Sequence, residues 1–399
     1  MKGNEDFRQR LISISAASVV LTLGNTAWDI LGPLWTAGQL HMGAADWAHI
    51  RSLRFTGTLV GTLILGFAAS TWGPKALGFA FFLIAGFALG IMAMGGQAAI
   101  YLAIPFFGAS ISAIYVSLNI LTQLVGAQRQ ARANAIYRSV GAAIAIAAPI
   151  AATSLAALVG AVWALVLFAS LLALGGLCLI LYPAIPADPG RPDFFSSLGG
   201  ILKRPGLLKF ICIDQGFALA TTGVGVFTAL RLSKDFSSPD TLVGVFMTIS
   251  ALSGFIGTIS SYRVQQWLGI RRTIILAYAA MMAAWLGFGL AQGREPALAS
   301  LVLGSLFAGV SSAPVSYTVA RLGGPGSEAS TITLWKLIQS LASVLGMNLC
   351  AILEPSLGMA GIIAWGSLTA IIPVAILALA RIDLAGWQGR PGEAKRNNA

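Results

Sequence analysis

Charge is what this sequence has least of. Asp, Glu, Lys and Arg make up 10% of its 399 residues, against about a quarter in a soluble domain, which excludes an ordinary globular fold in water. Acids are the scarcer sign, 14 against 25 bases, and within the apolar runs they stand singly. The clustered carboxylates that would hold metal ions for a membrane-embedded lipid or prenyl enzyme are therefore missing, and no nucleophile sits beside a base. The two histidines, His41 and His49, lie in or beside one loop with nothing nearby to make a proton-sensing cluster. The three cysteines, Cys178, Cys212 and Cys350, have no spacing for a metal site or disulfide framework and read as packing residues. No nucleotide-binding loop occurs, which disfavours direct drive by ATP. No cofactor or metal is expected. A net charge of +11 would suit a nucleic-acid partner only on a solvated basic domain, and no stretch of the chain reads as one.

What the chain has in abundance is long apolar sequence. Hydrophobic residues account for 57% and the mean hydropathy is +0.82. Apolar runs of about 18 residues or more recur from end to end, the pattern of many membrane-spanning helices. Twelve spans are predicted, near 11–36, 47–70, 76–95, 98–125, 135–159, 161–183, 207–232, 241–263, 272–292, 297–320, 329–353 and 358–381. The longest polar interruption, "PAIPADPGRPDFFSSLGGILKRPG", collects prolines, glycines and charges as a linker would. The expected organisation is a six-helix bundle over 1–183, a cytoplasmic linker over 184–206, a second bundle over 207–381 and a tail over 382–399. The fold class is thus all-α, twelve transmembrane helices in two pseudo-repeats.

Basic residues set the orientation. With the N-terminus inside, cytoplasmic segments hold eighteen lysines and arginines, outer loops hold Lys234 and Arg294, and five fall within spans: Arg51, Arg54, Arg138, Arg231 and Lys336. That asymmetry places both termini in the cytoplasm, as in a multi-pass protein of a bacterial inner membrane. The halves also look related. The stretches "GFAASTWGPK" and "YRVQQWLGIRR" follow spans 2 and 8, and Gly73 and Gly269 align at an offset of 196 with a basic residue just beyond each.

On these features the sequence resembles the major facilitator superfamily over nearly its whole length: six plus six helices, cytoplasmic termini, a long central linker and degenerate copies of the signature loop. Gly66, Gly73 and Lys75 match the first copy, with Ser70 where the family has aspartate. Gly269, Arg271 and Arg272 match the second, with Tyr262 and Gln266 in place of its glycine and aspartate. Span 4, "FFGASISAIYVSLNILTQLVG", lacks the arginine of proton-coupled drug exporters. The resemblance implies a secondary transporter whose spans 1, 4, 7 and 10 line a central cavity.

Charged side chains at membrane depth are costly and therefore mark sites or fixed pairs. Asp29 and Arg54 each lie about seven residues below the outer ends of spans 1 and 2, roughly 10 Å deep, and antiparallel neighbours at equal depth can pair. Arg51, nearer the surface, is expected to snorkel to the headgroups, as are Arg138 and Arg231. Asp214 and Lys336 lie at similar depths from the opposite side, in spans 7 and 11. They are either a carboxylate whose lysine is displaced during transport, hence a proton site, or a permanent ion pair. Asn25 joins Asp29 on span 1, while Tyr115, Asn119 and Gln123 form one stripe on span 4 and Tyr317 lies near a proline kink in span 10.

Five intramembrane cations against two firmly intramembrane acids favour an anionic or zwitterionic solute, which arginine can clamp in bidentate fashion. The expected substrate-binding residues are Arg54, Asn25, Tyr115, Asn119, Gln123, Tyr317 and Lys336, with Asp29 and Asp214 as candidate proton carriers. The leading expectation is a proton-coupled symporter, not an enzyme, working as a monomer in the bilayer on a small molecule by alternating access. Export of amphipathic drugs or lipids, a membrane-embedded lipid or prenyl enzyme, and a non-transporting receptor are the alternatives.

Overall fold

The computed structural model describes residues 2–93, 95–124, 127–180, 199–201, 203–323 and 328–380; its longest stretches given by backbone alone are 2–11, 65–83, 112–124 and 127–139. The described residues are almost entirely helical. In chain order the main helices are α1 (Lys2–Gly38), α2 (Ala44–Ala93), α3 (Gln97–Leu124), α4 (Ala127–Val159), α5 (Ala161–Ile180), α6 (Pro205–Ala220), α7 (Thr222–Lys234), α8 (Asp240–Leu268), α9 (Ile270–Leu290), α10 (Arg294–Leu322), α11 (Glu328–Thr369) and α12 (Ile371–Leu379). These helices are not the spans one for one.

The α2 helix has 50 residues, about 75 Å at 1.5 Å per residue, more than twice the roughly 30 Å hydrocarbon core. It carries spans 2 and 3, and the loop predicted at 66–75 is helical backbone. Conversely, α6 and α7 are one span interrupted at Thr221, where φ −95° and ψ 9° leave the helical region. In α11, Gly358 at φ 66° ends span 11 and begins span 12, which α12 completes. Only glycine enters that left-handed conformation without strain. The twelve spans form an all-α membrane fold of two six-helix pseudo-repeats, as expected from the sequence.

Two helix crossings reveal the repeat at the level of atoms. In the first half, a Cβ on Gly57 of α2 would overlap the Pro105 carbonyl of α3, and a Cβ on Gly108 of α3 would overlap the Arg54 carbonyl of α2. In the second half, Gly257 of α8 stands against the Leu306 carbonyl of α10, and Gly309 of α10 against the Gly254 carbonyl of α8. Residues 54, 57 and 58 thus correspond to 254, 257 and 258. Thr58 and Thr258 repeat the match, donating to the carbonyls of Arg54 and Gly254 at 3.1 and 3.0 Å. Small residues let the two backbones touch, which replaces the hydrophobic drive that lipid cannot supply between helices.

The kink at Pro314 is compensated by a neighbouring helix. Pro314 cannot donate to the carbonyl of Val310, and Ser261 of α8 donates to it instead at 2.8 Å. Between halves, α1 packs on α7, α2 on α11 and α4 on α8. Near the 39–43 loop, here called the first-loop face, both halves share one hydrophobic core that includes Trp28, Trp47, Phe227 and Cys350. A second core, around Ile211, Phe217 and Tyr278, belongs to the second half alone.

Candidate functional site

Helical spacing assembles the site. Asn25 and Asp29 lie one turn apart on α1, and Arg51 and Arg54 lie three residues apart on α2, so each helix turns a single polar face toward the other. Arg54 donates from Nη1 to Asp29 Oδ1 at 2.7 Å and from Nη2 to Asn25 Oδ1. Arg51 donates from Nη2 to the same Asp29 Oδ1 at 3.1 Å. Its other terminal nitrogen, Nη1, donates to the carbonyl of Gly225 on α7, in the opposite half. The α2–α3 crossing holds Arg54 at its backbone, and beside Gly108 the ring of Phe107 lies 5.8 Å from the guanidinium carbon.

Two guanidinium groups share one carboxylate, so the cluster carries a formal charge of +1. The Nε atoms of Arg51 and Arg54 are buried with no hydrogen-bond partner among the described residues. The arginine side chains are 10% and 5% exposed, but Asp29 is 29% exposed. Its exposed side opens onto a cavity of about 460 Å³ between the halves, bounded by α1, α4, α8 and α10. Both guanidinium bonds fall on Oδ1; Oδ2 accepts none from the described residues.

The cavity wall is mostly hydrocarbon, with Ile30, Pro149, Met247 and Phe255 among its members. Its hydroxyls are largely engaged within the protein: Ser250 and Ser305 share a 2.6 Å hydrogen bond, and Thr258 and Ser312 donate to carbonyls of their own helices. Asp29 is therefore the charged group that the described wall offers a solute.

The two halves are bonded to each other at one end. Among the described residues, the hydrogen bonds that cross between them all involve positions 47–52 of α2. Trp47 donates to the Val226 carbonyl at 3.1 Å, His49 meets Asn348 at 3.2 Å, Asn348 donates to Ser52 at 2.7 Å, and Arg51 reaches Gly225. The first-loop face is closed.

A second polar cluster lies within the other half. Asp214 of α6 accepts hydrogen bonds from Tyr278 of α9, from the indole of Trp335 on α11 at 2.7 Å, and from Gln215 at 2.6 Å. Phe217 stacks on Tyr278 at 4.1 Å and fixes the ring. Lys336 donates to Gln339 at 2.8 Å and lies 4.6 Å from the Trp335 ring. Trp335 thus stands between the acid and the lysine, giving its N–H to one and its ring face to the other.

The structure brings Asn25, Asp29 and Arg54 together, as the sequence suggests, and adds Arg51. Arg51 does not snorkel. It is 8% exposed and points inward, because a residue three positions from Arg54 must share its face. Arg231 is likewise buried, donating to the carbonyls of Gly289 and Ala291 at the end of α9. Tyr317 is half-exposed and accepts a hydrogen bond from Arg321 at 3.0 Å; like Asn25, Arg54, Asp214 and Lys336, it is not among the residues lining the cavity. The side chains of Tyr115, Asn119, Gln123 and Arg138 lie outside the described residues. Sequence reasoning missed the α4 and α8 walls, whose Ala142, Ala145, Ala251 and Gly254 carry no chemistry; their smallness was the signal.

The family model of the Major Facilitator Superfamily matches residues 14–347. No curated protein matches the chain by sequence. Solved structures similar to it include a point mutant of the nucleoside transporter NupG, with a TM-score of 0.77 and 13% identity over 92% of this chain and 99% of that one. The E. coli fucose:proton symporter FucP gives 0.65 and 12% over 92% and 97%. A POT family transporter in complex with a thioalcohol-conjugated peptide gives 0.74 and 10% over 92% and 95%.

Proposed function

The chain belongs to the major facilitator superfamily, and from that premise we propose that it is a proton-coupled secondary transporter of a small anionic or zwitterionic organic solute. The observation that carries this reading is Asp29 at the cavity wall with a buried arginine pair bound behind it. The surplus positive charge favours an anionic group, and the open Oδ2 of Asp29 accepts a donor, so a zwitterion satisfies both. Alternating access then consists of the halves rocking about the cavity while the first-loop face and its opposite open in turn. The domain limits 1–183 and 207–381, the cytoplasmic termini, the bacterial inner membrane and a working monomer complete the proposal.

Proton coupling draws support from the likeness to FucP, a fucose:proton symporter, and from two carboxylates in contrasting surroundings. Asp29 is countered by two cations, whereas the hydrogen-bond donors to Asp214 are all neutral. We assign the proton to Asp214 and solute contact to Asp29. Asp214→Asn is expected to abolish pH-driven accumulation in proteoliposomes while sparing exchange; retained accumulation would remove Asp214 from the mechanism.

One observation favours a second reading. The cavity wall is mainly hydrocarbon, which suits export of amphipathic compounds. Thermal stabilisation of the purified protein by matched panels of organic anions, zwitterions, cations and neutral compounds separates the two, because a ligand of the native state raises apparent stability. Stabilisation by anions or zwitterions that is lost in Arg54→Gln supports the first reading. Stabilisation by hydrophobic cations, or an anion response unchanged in Arg54→Gln, supports the second.

A further inference from the structure

We infer that Arg51 couples the state of Asp29 to closure of the first-loop face, acting as a positioning residue and not as a membrane anchor. The purpose of this coupling rests on the transporter reading. Its geometry does not depend on which solute is carried.

A guanidinium presents its two terminal nitrogens in a rigid fork. In Arg51 one arm is on Asp29 Oδ1 at 3.1 Å, inside the site, and the other is on the Gly225 carbonyl of the opposite half. The next carbonyl along α7, that of Val226, accepts from Trp47 of the same α2 turn, and Trp47 is fully buried. The same few residues of α2 therefore touch the solute cavity through Asp29 and hold the gate through α7. Ser52 and His49 reach Asn348 of α11 without touching Asp29, which makes that link part of the closure but not of the coupling.

The physical consequence follows from burial. Arg51 is 8% exposed and its Nε lacks a partner among the described residues, so Asp29 is the charge that makes its buried position tolerable. A solute anion draws Arg51 off the carbonyl directly; a solute cation that cancels Asp29 leaves a buried guanidinium with a neutral carbonyl for company. That position is costly, and the guanidinium leaves it toward water, releasing Gly225. The repeat supports a dedicated role: at the offset of 200 that relates α2 to α8 at the crossings, Arg51 and Arg54 correspond to Ala251 and Gly254, so the device is built into one half only.

Cys350 supplies the readout. It is 5% exposed and lies in the core shared by both halves at this face. In full-length protein in liposomes, with Cys178→Ser and Cys212→Ser, alkylation of Cys350 by a maleimide measures opening of the first-loop face. Asp29→Asn serves as the stand-in for a discharged site, so no substrate is needed. Arg51→Gln and Asp29→Asn are each expected to speed alkylation by about tenfold, the loss of one charge-assisted hydrogen bond from the closed state. The decisive result is the double-mutant cycle. Asp29→Asn adds nothing in the Arg51→Gln background, yet multiplies the rate in an Asn348→Ala background.

Alkylation at the parental rate in Arg51→Gln, or an equal acceleration by Asp29→Asn whether or not Arg51 is present, overturns the inference. Arg51→Lys keeps a cation beside Asp29 but lacks the fork, and tests the same point should Asp29→Asn fail to fold: faster alkylation is expected, and the parental rate refutes the coupling. Because the readout is opening and not uptake, a negative result leaves the transporter reading standing. A failure to find transport likewise leaves the latch standing.

Discussion

The two halves of the molecule use one crossing for two purposes. In both, two glycines and a threonine-capped carbonyl bring a pair of helices into backbone contact. In the first half the residue at that carbonyl is Arg54, whose side chain joins Asp29 and Arg51. In the second half it is Gly254, which only lines the cavity. The crossing is scaffold, and the charge was placed on one copy of it. The repeat thus supplies the same crossing to both halves, while the chemistry at the cavity is asymmetric. The acids differ in the same way: Asp29 sits between cations at the cavity, and Asp214 sits among Tyr278, Trp335 and Gln215 inside one half.

Substitutions at matched positions put this asymmetry to the test. The largest effect is expected from Arg54→Gln, which removes the charge-assisted hydrogen bonds to Asp29 and Asn25, at about 1.5–3 kcal/mol each. Gly254→Ala, its counterpart, brings a Cβ to 3.3 Å from the Ser305 carbonyl and is expected to cost under about 1 kcal/mol. Thermal midpoints of the two purified variants decide the matter, and equal losses would refute the asymmetry.

Next come the crossings themselves. Gly108→Ala and Gly309→Ala each drive a methyl into a backbone carbonyl that cannot rotate away, at an expected cost of about 1–3 kcal/mol. The two losses should match if the crossings are equivalent scaffold, so a benign Gly309→Ala beside a damaging Gly108→Ala would end the equivalence.

Trp335→Phe removes one neutral donor from Asp214 while keeping an aromatic ring for Lys336, and about 1.5 kcal/mol is expected. Its effect on coupling is the more discriminating measurement: the pH dependence of accumulation should shift in Trp335→Phe and stay put in Asn25→Ala, which touches only the Asp29 cluster. A shift in both would mean that the two acids are not divided in labour. A small effect, about 1 kcal/mol, is expected from Ser261→Ala, for the donor that serves the Val310 carbonyl left open by Pro314. No loss of thermal stability there would mean that the kink needs no such compensation.

Much of this was legible in the chain. The depth of Asp29 and Arg54 in neighbouring spans predicted their pairing, and the one-turn spacing of Asn25 and Asp29 predicted a common face. Arg51 was within reach of the same logic, since three residues separate it from Arg54, but a surface position suggested lipid because the proximity of α7 is invisible in α2. The insertion of Trp335 and Tyr278 around Asp214 was also hidden. They lie on other helices, and aromatic residues in apolar runs signal packing before they signal hydrogen bonding.

That the chain spans a membrane many times and which few charges are carried to depth can both be read along the sequence. Each follows from the transfer free energy of residues taken one at a time. The convergence of two arginines on one carboxylate oxygen, the bridge from one of them to the other half, and the neutral donors around Asp214 belong to the assembled bundle. Those outcomes depend on how helices are rotated about their axes and how closely they cross. Contacts such as Gly57 on Pro105 and Gly108 on Arg54, between residues about fifty positions apart, set that rotation.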